Sequence, residues 1–136
     1  PMISLNKKSD TLTARLLAEV LPLLPPAAQR VAATCSIAVT RHARGKSSRS
    51  GKLVRVPSWA FNARVNFCRK GLIPGGIDFV AYYLAHELAH IHANVPGHGA
   101  AFMAAFRELC PPHLQWHETI YKPRAAAAAG IEKVEA

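Results

Sequence analysis

The pentapeptide His86-Glu87-Leu88-Ala89-His90 sets two imidazoles four residues apart with a carboxylate beside the first. On a helix, side chains at i and i+4 share a face, so nitrogens of His86 and His90 can bind one ion while Glu87 reaches a water next to it. That is the smallest set of groups for metal-assisted hydrolysis: an ion to act as Lewis acid and a carboxylate to act as general base. The motif therefore asks the rest of the chain for a third ligand and a substrate groove.

The surrounding residues support a helix. Ile77 to Ala93 is preceded by Pro74-Gly75-Gly76 and followed by Asn94-Val95-Pro96-Gly97, which are start and stop signals, and the stretch between them is about four turns or more. Phe79, Val80, Tyr83, Leu84, Leu88 and Ile91 spread apolar surface nearly all round it, the pattern of a helix buried inside its domain. An uncompensated carboxylate or imidazole in such a place costs on the order of several kcal/mol, and a bound divalent cation is the compensation the motif suggests.

For the third ligand, His92 lies two residues past His90, about 200° round the helix, and faces away from the pair. His98 follows the Pro96-Gly97 turn, where the chain can double back, and opens a second helical pattern whose apolar stripe is Phe102, Phe106 and Leu109 and whose stop is Pro111-Pro112. The positive end of that helix disfavours an imidazolium and leaves the neutral form that metals need. His98 is the expected ligand. Glu108 and Glu118 are the rivals, since some zinc hydrolases of this motif take a glutamate from a later helix; Glu108, beside Arg107, reads as a solvated or ion-paired residue. A third short helical pattern, Pro112 to Tyr121, carries Glu118 together with His113, His117 and Tyr121 as possible donors to a developing oxyanion, of which Tyr121 is the one chosen.

The motif His86-Glu87-Leu88-Ala89-His90, followed after a short turn by His98-Gly99-x-x-Phe102 at the head of another helix, resembles the SprT-like zinc metallopeptidases, the group that includes Spartan. The resemblance covers residues 77 to about 110. It implies one Zn2+ held by His86, His90 and His98, Glu87 as general base, and a minimal zincin domain with a small sheet beside the motif helix. It also implies that the strand predicted at 63–69 borders the cleft and pairs with an extended substrate backbone. No cysteine-rich zinc ribbon of the kind some relatives carry follows the core.

At 136 residues, half of them hydrophobic, the chain has the material for one core. The expected division is one domain over 1–122 and an Ala-rich, frayed tail over 123–136. No signal peptide pattern opens the sequence and no apolar run approaches the roughly eighteen residues of a membrane span, so a cytoplasmic, soluble protein, monomeric and without a membrane partner, is expected. Cys35, Cys68 and Cys110 are widely spaced, lack a CxxC pair and read as reduced thiols.

The charge is uneven. Net charge is +9, and residues 41–70 hold nine basic residues and no acidic one. Arg41, Arg44, Lys46, Arg49, Lys52 and Arg55 cluster in its first half and are the candidate contacts to a nucleic acid or other polyanion. The same cluster also reads as a solvated loop that keeps a small protein soluble.

Hydrophobic periods give the remaining elements. Leu12, Leu16, Leu17, Val20 and Leu21 recur with helical spacing after Ser9-Asp10-Thr11, and Pro22 to Pro26 end that helix. Cys35, Ile37 and Val39 alternate with smaller or polar residues as a strand does; Leu53 to Val56 resumes an apolar pattern beyond a Gly/Ser-containing loop, so the two read as a hairpin. Val65 and Phe67 alternate in a third strand. The expected fold class is α+β, with a small antiparallel three-stranded sheet packed on helices that include the motif helix.

Two functions of different class follow. One is a zinc-dependent peptidase that acts on proteins or peptides, in the sharper form on DNA-associated proteins. The other is a nucleic-acid-binding module in which a histidine-held metal serves only the fold.

Overall fold

The computed structural model describes residues 9–40, 44–46, 53–55, 58–68 and 76–132. Leu12, Leu16, Val20, Leu24, Ala28 and Ala32 are buried at successive four-residue steps, which is how the N-terminal segment stays on one side of the core. The segment is not one helix. It runs as α1 (Ser9–Arg15), widens into a π turn (Leu16–Val20), tightens into a 3-10 turn (Leu21–Leu23) and restarts as α2 (Pro26–Ala32). Pro26 sits at the first turn of α2, where a missing N–H costs nothing, so the proline run that ends one helix begins the next.

Five short strands follow: β1 (Ser36–Thr40), β2 (Arg44–Lys46), β3 (Leu53–Arg55), β4 (Ser58–Phe61) and β5 (Arg64–Cys68). The expected antiparallel three-stranded sheet is not what forms. The sheet is mixed, in the order β1-β5-β4, with β1 parallel to β5 (Ser36 opposite Arg64, Thr40 opposite Cys68) and β4 antiparallel to β5. The 53–55 strand pairs with 44–46 inside the stretch read as loop, not with β1, because that ribbon closes over a short separation while a partner for β1 must come from further along the chain. β5 is central and buried from Val65 to Cys68, the near-continuous burial of a strand covered on both faces. Asn62 and Ala63, both with positive φ (49° and 60°), make the two-residue turn between β4 and β5; asparagine accepts that conformation readily and alanine bears its cost.

The two sheet edges differ. At β1 the Val39 N–H is taken by the Thr13 hydroxyl of α1 at 2.9 Å, so a helix covers that side. The other edge is β4, which packs against α3 (Gly76–Ala93).

α3 occupies the centre of the molecule, with the sheet, α2, α4 (Ala100–Leu109) and the 3-10 turn Pro112–His117 around it. Val80, Ala81, Tyr82, Leu84, Ala85, Leu88 and Ala89 are buried with the carboxylate of Glu87 among them, as the all-round apolar pattern predicts. Among the described residues, no helix is long and apolar enough to cross a membrane.

After α5 (Glu118–Tyr121), the first part of the Ala-rich tail forms α6 (Pro123–Ala128), while residues 133–136 lie outside the described residues. Ala126 is fully buried and Ile131 nearly so, on the side where α6 meets α4. Gly130, at φ 79°, closes the helix with a Schellman turn: its N–H bonds Ala127 O at 3.0 Å and the Ile131 N–H bonds Ala126 O at 2.9 Å. Arg107 of α4 donates to Ala129 O across the junction. An alanine run has no large apolar face, yet its small side chains let a helix lie close, and one isoleucine anchors its end.

Candidate metal centre

Three imidazoles converge. His98 Nε2 lies 3.2 Å from His86 Nε2 and 3.2 Å from His90 Nε2. The three residues form a group able to hold one metal ion, and no other such group occurs among the described residues. His86 and His90 come from adjacent turns of α3, and His98 from the turn before α4.

The far nitrogen of each α3 histidine is held by an acceptor, which settles which way the ring points. His86 Nδ1–H donates to Glu118 Oε1 at 2.8 Å; His90 Nδ1–H donates to the Val95 carbonyl at 3.0 Å. Carboxylate and carbonyl oxygens only accept here, so Nδ1 carries the proton and Nε2 presents its lone pair inward. Lone pairs brought to 3.2 Å repel unless a cation lies between them. A tetrahedral ion with metal–nitrogen bonds of about 2.0–2.1 Å sets its ligand nitrogens roughly 3.3–3.4 Å apart, so the spacing fits.

Local sequence explains the His90 arm. Asn94 takes a left-handed conformation (φ 54°) and ends α3 in a Schellman turn, in which the Val95 N–H bonds His90 O at 3.2 Å and the Asn94 N–H bonds Ile91 O at 3.1 Å. Val95 thus donates to the His90 backbone and accepts from its ring, and the same turn brings His98 back. The His86 arm depends instead on Glu118, 32 residues later, which is completely buried and also accepts from the Tyr82 hydroxyl. Burial favours the protonated form of Glu118, but the hydrogen bonds from His86 and Tyr82 outweigh it and hold the carboxyl below its ordinary value. Burial, with the Glu118 charge second, pushes the Tyr82 phenol up.

Burial, followed by the charges of His86 and His90, pulls His98 down to about 4; burial and then His86 lower His90 as well. His98 therefore stays neutral and able to donate a lone pair well below pH 7, and burial shifts His90 in the same direction. Phe102, fully buried, lies under all three rings, with centroids 4.8 Å from His86, 4.4 Å from His90 and 4.8 Å from His98. The spacing His98-x-x-x-Phe102 has a physical reason: the aromatic side chain is the floor of the cluster.

Glu87 is buried beside the histidines, and its Oε2 accepts a hydrogen bond from Ser58 at 2.5 Å. Burial raises its pKa; the neighbouring His86 and the Ser58 hydrogen bond oppose that rise.

The other sequence candidates fall as follows. Glu108 is exposed and sits 3.5 Å from His92, a surface pair, so neither belongs to the cluster. Glu118 stands behind His86 and supports its ring, which takes it out of contention as the third ligand. Tyr121 is half-exposed at the end of α5, stacked 6.2 Å from Tyr82 and with its ring centroid 5.8 Å from that of Tyr83. His113 is exposed, and His117 stacks on Trp116 at 3.8 Å. Of the basic residues, Arg41, Arg49 and Lys52 lie outside the described residues; Arg44 and Lys46 are on β2 and Arg55 on β3, with Arg44 directly opposite Arg55. Sequence reasoning did not select Ser58, Tyr82 or the Val95 carbonyl. Only the last carried a signal, since an asparagine stop after a histidine-bearing helix end predicts a carbonyl close by.

No protein-family model, curated protein or solved structure matches the chain.

Proposed function

We propose that this chain is a zinc-dependent peptidase. The observation that carries the reading is the convergence of His86, His90 and His98 at 3.2 Å spacing beside the buried carboxylate of Glu87. Three imidazole donors suit zinc, and a set of three protein ligands leaves a fourth position for water or substrate, the arrangement of catalytic rather than structural zinc. Zinc held by His86, His90 and His98 would supply Lewis acidity, able to acidify a water and polarise a carbonyl.

The chain's own residues do the rest. Glu118 and the Val95 carbonyl hold the Nδ1 protons of His86 and His90, which fixes the tautomers and raises the basicity of the ligating nitrogens. Glu87 takes a proton from the attacking water and delivers it to the leaving amine. Tyr121, whose ring lies beside that of Tyr83, is the candidate donor to the developing oxyanion. The extended substrate pairs with β4 rather than with the 63–69 strand, because β5 already has a neighbour on each side and β4 is the edge beside α3.

Glu87→Gln tests the reading. It should keep one zinc per chain and lose cleavage of an unfolded protein such as labelled casein; cleavage at the wild-type rate sinks the assignment.

DNA-associated proteins are the substrate class that the charge favours. Residues 41–70 hold nine basic residues and no acidic one, the charge pattern of a segment that meets a polyanion. Single-stranded DNA should stimulate cleavage at low salt, with the stimulation falling as salt is raised. Equal rates with and without DNA leave a plain peptidase.

A further inference from the structure

Ser58 is a polar residue where the packing asks for a small apolar one. It shares a face of β4 with Ala60, by the two-residue period of a strand, and Ala60 packs against the core. Its own side chain is buried, on a strand whose position is set by pairing with β5, where Ser58 is opposite the buried Phe67. Alanine would fill that position equally well and leave no hydroxyl to desolvate. The hydroxyl is satisfied by one partner, Oε2 of Glu87, 29 residues away in sequence and on the other side of the interface between β4 and α3.

Glutamate has three rotatable bonds, and a carboxylate that must meet a water and then a leaving amine works only in a narrow range of positions. We infer that Ser58 is a positioning residue for Glu87: its hydroxyl holds one carboxylate oxygen and leaves the other for proton transfer. This rests on the peptidase reading for its consequence in catalysis, while the tether itself is a property of the fold. It places part of the site on the sheet edge, so that the strand that receives the substrate backbone also aims the base.

The test uses the zinc-loaded full chain. Ser58→Ala should lower kcat on labelled casein by about tenfold or more, the equivalent of one hydrogen bond to a charged group, with KM within twofold of wild type and zinc content unchanged. Ser58→Thr, which keeps the hydroxyl on a strand-compatible side chain, should recover kcat to within about threefold. A second readout needs no activity: the carbon-13 resonance of the Glu87 carboxyl, assigned through Glu87→Gln, should move in Ser58→Ala and return in Ser58→Thr, in metal-free and zinc-loaded protein alike. An unmoved resonance, a wild-type kcat in Ser58→Ala, loss of zinc from that variant, or no recovery by Ser58→Thr each overturns the inference. A wild-type protein that cleaves nothing, with the resonance still responsive to position 58, overturns the peptidase reading and leaves the tether standing.

Discussion

His86 and His90 sit one turn apart on the same helix and present the same atom to the same point, yet they are held in different ways. The His90 ring is steadied by a neutral carbonyl five residues away, in a turn that the asparagine at 94 builds locally. The His86 ring is steadied by a buried charge from an element 32 residues later, itself held by Tyr82. The contrast separates two kinds of support. A carbonyl on the next turn arrives with the helix end and costs little to place. A buried carboxylate is worth having only after the domain has closed round it, and then it contributes charge as well as direction.

Removing the distant support should do the most damage. Glu118→Ala leaves the Tyr82 hydroxyl and His86 Nδ1 without their acceptor in the interior, and should cost about 3–5 kcal/mol of stability and weaken zinc binding about 10–100-fold. Urea unfolding and zinc competition titrations measure the two losses. Zinc affinity within twofold of wild type would erase the distinction drawn here.

Tyr82→Phe keeps the carboxylate but removes one of its donors. The expected loss is about 2 kcal/mol of stability, as for a hydrogen bond to a charged group, with a smaller fall in zinc affinity than Glu118→Ala produces. Glu118→Ala and Tyr82→Phe should be strongly non-additive in a double-mutant cycle, since both act through one oxygen.

Asn94→Val attacks the local support. A β-branched residue at φ 54° costs about 1–2 kcal/mol, and the turn can shift only within its own few residues, so zinc affinity should fall less than about tenfold, below the range for losing a group that holds a ligating ring. Asn94→Gly, free of that strain, should bind zinc as wild type does. If Asn94→Val weakens zinc as much as Glu118→Ala, the local arm is as demanding as the distant one.

The smallest effect is one of pH on the metal-free protein. His98 and His90 titrate below their ordinary value when folded, so between about 4 and 6.5 the unfolded chain binds protons that the folded chain refuses, and stability rises with pH across that window. Glu118, also depressed, acts in the same direction at lower pH: its contribution is lost as pH falls through its folded value. Glu87, raised by burial, works against both. Thermal melts should show Tm climbing from pH 4.5 to 7 by a few degrees, with no flatter a climb in Glu118→Ala, because the Glu118 charge raises the folded pKa of both rings and its own titration lies lower. A flat profile in the wild type would contradict the burial of the two rings.

The histidines of the cluster were readable because their relations are short in sequence. Four-residue spacing fixes which side chains share a helical face, and the Pro-Gly turn brings His98 back within twelve residues of His86; the structure puts these nitrogens together. The sheet was less readable, because alternation identifies a strand without naming its partner. Alternation marks both β1 and β5 as strands, but their parallel pairing joins segments more than twenty residues apart, and nothing in either pattern names the other. The packing of α6 is hidden for a related reason: an alanine run has helix propensity but no apolar stripe, and only α4 shows which side of it is inside.

The sequence alone determined the helix that bears the motif, its stop, and which three histidines, His86, His90 and His98, come together, since these follow from periodicity and turn chemistry acting over a dozen residues. Tertiary structure decided what stands behind them. Ser58 on Glu87, Glu118 and Tyr82 on His86, and the edge that β4 presents all join residues about 30 positions apart or depend on strand order, and no local pattern marks them. The physical reason is that a buried polar group is specified by whichever partner the closed core brings to it, and that partner can come from any part of the chain.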